Sequence, residues 1–198
     1  MHVIEERFLI RRGQFAKSSN LSQILTEVRS GIDSVRWPKG AGKFTIRPTQ
    51  KGNGVVPIKK ACIAHLKRCG WIAEQRLKLA AHEKPGPLDA VKQLPDGRFF
   101  AFEWETGNIS STHRALNKMA VGLLEGILAG GILVLPTRKL YEFLTDRIGN
   151  FEEIAPYFPM WESLTVNNGV LAVFAIEHDA ESSRVSLIKK GTDGRALV

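Results

Sequence analysis

Asp89, Glu103 and Glu105 are acidic residues spaced as chemistry on a phosphate would need them. Two apart on a strand, Glu103 and Glu105 project from one face. Between Asp89 and this pair lies LPDG, with Pro, Asp and Gly where a hairpin turn wants them. PLDAVKQ and RFFAFEWET are therefore expected to pair as an antiparallel hairpin. A turn centred on Asp96 or Gly97 is expected to set Asp89 opposite residue 102 or 104, one step from Glu103. Carboxylates gathered this closely raise each other's pKa unless a cation screens them. A hard divalent metal such as magnesium answers that need, because it takes oxygen ligands and keeps several waters. One such water could be activated for in-line attack. The same spacing also suits a turn-forming Asp89 and a solvated sheet edge, and periodicity alone leaves both readings open.

Elements must hold these acids in place. In WIAEQRLKL, Trp71, Ala73, Leu77 and Leu79 share one parity while Ile72, Glu74, Arg76 and Lys78 share the other, which predicts a strand with Glu74 pointing away from most of its apolar side. Pro57 at a first helical position, Ile58, Cys62 and Leu66 at four-residue intervals, and Gly70 beyond them define a helix. An earlier helix is expected from a cap at Asn20, through Leu21, Ile24, Leu25 and Val28, to a stop at Gly31. After the hairpin, Ser110 or Ser111 can cap a long helix with Leu116, Met119, Ala120, Leu123, Leu124, Ile127 and Leu128 on one stripe, and Arg114, Asn117 and Lys118 on the other side. GILVLP and NGVLAVFAIEH are continuous apolar runs of the kind buried on both sheet faces. Between them, Leu140, Phe143, Leu144 and Ile148 suggest a helix ending near Asp146, Arg147 and Gly149. The alternation predicts an α/β fold, a central mixed sheet flanked by helices, in one domain over 1–198.

Composition narrows the function classes. The chain has 198 residues, 43% hydrophobic and 24% charged, with a formal net charge of +8. Such a balance excludes a collagen-like chain, a coiled-coil rod and a disordered tail protein, and favours a polyanionic partner such as nucleic acid. Its longest apolar stretch, 121–136, is interrupted by Glu125 and Gly130-Gly131, so no membrane span is expected. MHVIEERFLIRR lacks the apolar core of an export signal, which makes a cytoplasmic location the expectation. Cys62 and Cys69, on one helix, lie beyond disulfide reach. Residues 36–54 are rich in Gly, Pro and bases and form a loop that could touch phosphates. Its GAGKF fragment is not a phosphate-binding loop, because Trp37 stands where the first glycine belongs and Phe44 where the magnesium-holding hydroxyl belongs.

Pro87-Leu88-Asp89 followed by Glu103-Trp104-Glu105 resembles the PD-(D/E)xK nuclease signature in the variant where Glu replaces the usual Lys. Longer strings carry the likeness further. FEWETGNISSTHRALNKM, with FTI and NGVVPIK before it, YEFLTDRIGNFEEIAPYF after it and LIKKGTDG near the end, is similar to BamHI-type type II restriction endonucleases. The resemblance implies a PD-(D/E)xK restriction-endonuclease fold and Mg2+-dependent cleavage of double-stranded DNA leaving 5′-phosphate ends. Asp89 and Glu103 match the metal-binding carboxylates, with the Trp104 carbonyl as a further ligand. Glu105 takes the place of the family lysine, where a carboxylate can accept a proton from water. Glu74, in a matching Gly-Trp-x-x-Glu context, corresponds to a fourth acidic site residue, near a second metal or the leaving group. Lys59 in VPIK matches a residue that contacts phosphate or orders the site.

Base edges can be read by the residue types present: Arg on guanine, a carboxylate on cytosine, Asn on adenine. Asn108, Ser110, Arg114, Asp146 and Arg147 match motifs that line the major groove in the family, which implies the palindrome GGATCC. A palindrome asks for a two-fold reader, hence a homodimer, with an interface corresponding to about 116–128 and 151–158. A host would also need a DNA methyltransferase acting on the same site. The rival reading is a catalytically silent DNA-binding protein on the same scaffold, against which the retention of all three acids argues.

Overall fold

A computed structural model describes residues 1–79, 86–145 and 148–190. In chain order its elements are β1 (His2–Arg12), α1 (Ser19–Asp33), β2 (Thr45–Ile46), α2 (Val56–Arg68), β3 (Ile72–Gln75), β4 (Leu88–Gln93), β5 (Phe99–Trp104), α3 (Ile109–Leu124), β6 (Leu128–Pro136), α4 (Arg138–Tyr141), α5 (Phe151–Ile154), α6 (Phe158–Glu162), β7 (Gly169–Glu177) and β8 (Ala180–Glu181).

The two continuous apolar runs are β6 and β7, every residue of both is buried, and they pair in parallel at the middle of the sheet. Around them the six-stranded order is β1-β7-β6-β5-β4-β3. β5 runs parallel to β6, whereas β1, β4 and β3 are antiparallel to their neighbours, so the sheet is mixed as expected. Helices cover both faces. Ile24, Val28, Cys62 and Leu66 of α1 and α2 pack on Phe100, Phe102, Ile132 and Phe174. On the opposite face Leu116, Met119 and Leu123 of α3, with Ile154 and Trp161, pack on Ala101, Leu133 and Val173.

Several boundaries differ from the sequence expectation. Ser18, not Asn20, caps α1 by accepting from the Leu21 N–H, and the helix runs on through Gly31 to Asp33. Gly31 is needed there because a Cβ would lie 3.1 Å from Cys62 Sγ, so it permits α1 and α2 to approach instead of ending the helix. Asn108 caps α3 in place of Ser110 or Ser111. That helix stops at Leu124 because Gly126 turns the chain with φ +71, which leaves Leu124 exposed and makes Leu128 the first residue of β6. Among the described residues of the helix expected before Gly149, only Arg138–Tyr141 are helical. The chain beyond it bonds to the 51–54 loop instead, through Asn53 N–H to Phe143 O and Thr145 N–H to Asn53 O. Asp146 and Arg147 lie outside the described residues. The strand over Trp71–Leu79 is limited to β3, although Leu77 and Leu79 are buried. β1 was not anticipated at all. Both cysteines are free thiols, and among the described residues no helix is long and apolar enough to cross a membrane.

Candidate active site

The hairpin forms as expected, but its register is shifted by one from the expected pairing. Leu94 N–H bonds to Arg98 O across a turn in which Gly97 takes φ +86. Ala90 therefore pairs with Phe102, and Asp89 faces Glu103 itself. At this point the regular ladder stops and the two carboxylates replace it. Asp89 N–H donates to Glu103 Oε2 at 3.1 Å, and Trp104 N–H donates to Asp89 Oδ2 at 2.8 Å. Each acid thus satisfies an amide that the ladder would otherwise have paired, which is why buried backbone tolerates the strands parting here.

Two lysines complete the pairings. Lys59 Nζ of α2 lies 2.8 Å from Asp89 Oδ1, and Lys118 Nζ of α3 lies 2.6 Å from Glu103 Oε1. Glu103 is only 9% exposed. Burial pushes its carboxyl above the usual glutamate range, the neighbouring Asp89 charge adds to the rise, and Lys118 opposes it. Cys62 lies behind Asp89, and burial pushes its thiol up and out of the reactive range.

Glu105 follows the last residue of β5 and curls onto its own loop, where Oε1 accepts from Thr106 N–H at 2.9 Å and Gly107 N–H at 2.6 Å. A Cβ at residue 107 would sit 3.0 Å from that oxygen, so glycine allows the curl. Asp89, Glu103, Trp104 and Glu105 all line one open cleft of about 430 Å³, together with Lys59, Arg114 and Lys118. The three acids of the hairpin thus line one cleft, with Asp89 and Glu103 directly linked and Glu105 on the loop beyond them.

Other expected residues lie farther out. Glu74 falls between the pairs Ala73↔Ala90 and Gln75↔Leu88, so its backbone faces Asp89 across the β3–β4 ladder. Its φ of +54 is rare for a non-glycine residue, its side chain is exposed, and it is not among the described residues lining the cleft. Asn108 spends its side-chain oxygen on the α3 cap, accepting from Ser111 N–H at 3.1 Å. Ser111 rather than Ser110 reaches the cleft and accepts from Arg114 Nη2 at 3.1 Å. His113 turns the other way, edge-on to Tyr157 with ring centroids 4.7 Å apart.

Lys118 is the site residue that sequence reasoning assigned only to a polar helix side. Its signal was present in the spacing, since Ser111, Arg114 and Lys118 recur at three and four residues and so share one helix face above the acids.

Oxygen donors from Asp89 and Glu103, on adjoining strand ends at an open cleft, suit a hard divalent cation. Among the described residues, no three acidic, His or Cys side chains stand close enough to enclose a metal by themselves. Any cation there would have to complete its shell with backbone oxygen, water or a ligand phosphate, which is how magnesium is ordinarily held.

Known proteins agree with this architecture. The chain superimposes with a TM-score of 0.63 on the restriction endonuclease BglII, solved in complex with a DNA 16-mer, at 9% identity over 94% of this chain and 88% of that one. A family profile described as restriction endonuclease BamHI matches residues 1–195. The type II restriction enzyme OkrAI of Oceanobacter kriegii is 51% identical over 177 residues, which is 89% of this chain and 91% of that enzyme. The type II restriction enzyme BamHI of Bacillus amyloliquefaciens is 37% identical over 201 residues, 96% of this chain and 92% of that enzyme. The mixed sheet is that of a restriction-endonuclease-like α/β protein. The chain belongs to the BamHI family of type II restriction endonucleases, and with it to the site-specific deoxyribonucleases.

Proposed function

We propose that the protein cleaves both strands of DNA at GGATCC with Mg2+, leaving 5′-phosphate and 3′-hydroxyl ends. The observation that carries this reading is the exchange at the hairpin end, where Asp89 and Glu103 face each other on parting strands with Glu105 in the same cleft. Asp89, Glu103 and the Trp104 carbonyl would hold the metal, which supplies charge neutralisation at the phosphate and acidifies water. Glu105 accepts the proton of the attacking water, and its two amide bonds keep the carboxylate aimed at the cleft. Lys59 orients Asp89, while Arg114 faces the DNA from the first turns of α3. Glu74, across the ladder from Asp89, would serve as the fourth acid, near a second metal or the leaving group.

Base readout falls to Asn108, Ser110 and Arg114 at the start of α3 and to Asp146 and Arg147. A palindromic target needs a homodimer. The buried stripe of α3 belongs to the core, so the interface falls on the helix's outer side. Leu124 is 54% exposed there, and Tyr157, just before α6, and Met160, within it, are half exposed. A cognate DNA methyltransferase would protect the same site in the host.

The test is Asp89→Ala and Glu103→Ala in a cleavage assay with Mg2+ and a GGATCC duplex. Both variants should lose cleavage while still binding the duplex. Full cleavage by either one overturns the proposal.

A further inference from the structure

Each carboxylate at the parting of β4 and β5 already holds a cation that the chain supplies. Lys59 reaches Asp89 from α2, and Lys118 reaches Glu103 from α3. Lys118 is the more entangled of the two. Its Nζ lies 2.6 Å from Glu103 Oε1 and also donates to the Pro87 carbonyl at 3.2 Å, so it ties the start of β4 to the end of β5. The side chains of Lys118 and Glu103 are 20% and 12% exposed, so solvent screens their attraction only partly. Glu103 Oε2 meanwhile accepts from Asp89 N–H. Both oxygens of the buried acid are therefore engaged by protein donors. A second cation cannot share Oε1 with an ammonium, because the two positive charges would stand within a few ångströms of each other in a half-dry cleft.

We infer that Lys118 is a resident cation that must leave Glu103 before a divalent metal can bind, so that metal binding releases Lys118 onto the cleft wall. This rests on the reading of Asp89 and Glu103 as metal carboxylates. The freed ammonium lies one helical turn beyond Arg114 on the same cleft, where both face an incoming phosphodiester. Lys118 is a positioning residue in this scheme. It keeps the acids folded together when no metal is bound, and it makes metal binding and phosphate contact favour each other, as any shared displacement must.

The experiment is a titration of Mn2+ into the free protein without DNA, read by the paramagnetic resonance signal of unbound Mn2+. Lys118→Met should tighten Mn2+ binding by about tenfold or more, the factor expected when one charge-assisted hydrogen bond no longer competes. Lys118→Gln serves the same purpose if the methionine variant fails to fold. Lys118→Arg keeps the charge and should not tighten binding. Unchanged or weaker Mn2+ binding in the neutral variants overturns the inference. Mn2+ binding that Glu103→Gln leaves intact overturns the metal-carboxylate reading beneath it.

Discussion

Replacing Asp89 separates what this side chain does for the fold from what it does for chemistry. Its Oδ2 is the acceptor for the N–H of Trp104, a residue only 4% exposed. Alanine leaves that buried amide without a partner, at about 1–3 kcal/mol. The lost contact to Lys59 adds little, because the lysine side chain is 24% exposed and can turn to water. A chain of this size should then melt roughly 2–12 °C lower. Asparagine keeps a carbonyl where Oδ2 stood, so Asp89→Asn should remain within about 1 kcal/mol of the unaltered protein. Both variants lose the negative charge, and cleavage should fall by at least about 10²–10³-fold in each. Urea denaturation followed by circular dichroism measures the first quantity, and single-turnover cleavage of a GGATCC plasmid with Mg2+ measures the second. Asp89→Asn cutting at a rate within about tenfold of the unaltered protein would refute the chemical role. Equal stability of the alanine and asparagine variants would refute the structural one.

Other perturbations probe the scaffold and the readout. Asn108→Ala removes the α3 cap and should cost about 1 kcal/mol in urea denaturation. Burial opposes ionisation of Glu27, but hydrogen bonds from Lys92, Trp71 and Gln23 outweigh it and hold the carboxyl below the usual glutamate range. Its stabilising contribution is therefore present above the ordinary glutamate pKa and lost as pH falls through the lowered value. Glu27→Gln should accordingly cost about 1–2 kcal/mol at pH 7, with the gap to the unaltered protein closing in acid; a gap independent of pH contradicts this. Arg147→Ala should relax the choice of one base pair by about 1–3 kcal/mol in competitive cleavage of single-substitution sites, and an unchanged preferred sequence argues against the proposed readout. Sedimentation of the free protein at about twice the chain mass supports the two-fold reader, and Leu124→Asp should shift it towards the monomer.

The elements that sequence periodicity identified are those whose residues carry a local signal. Pro57 and Gly70 bracket α2, LPDG makes the β4–β5 turn, and the unbroken apolar runs are β6 and β7. What escaped depends on partners distant in sequence. β1 carries six charged residues or histidine in HVIEERFLIRR and is a strand because β7 offers it an antiparallel edge, with two register shifts that blur any alternation. Gly31 reads as a stop but is a contact glycine, a distinction that exists only once Cys62 is across from it. The hairpin was legible while its register was not, and that one-residue difference is what sets Asp89 against Glu103. The acids were found by type and spacing. Their lysine partners come from α2 and α3, and no local pattern joins Lys118 to Glu103.

The most direct test is to digest a complex pool of DNA with the purified protein and Mg2+, then sequence the new ends. The account predicts that they share GGATCC and carry 5′-phosphates. Ends clustered on a different palindrome would contradict the base readout, and intact DNA on which the protein nonetheless sits would contradict the chemistry assigned to Asp89, Glu103 and Glu105.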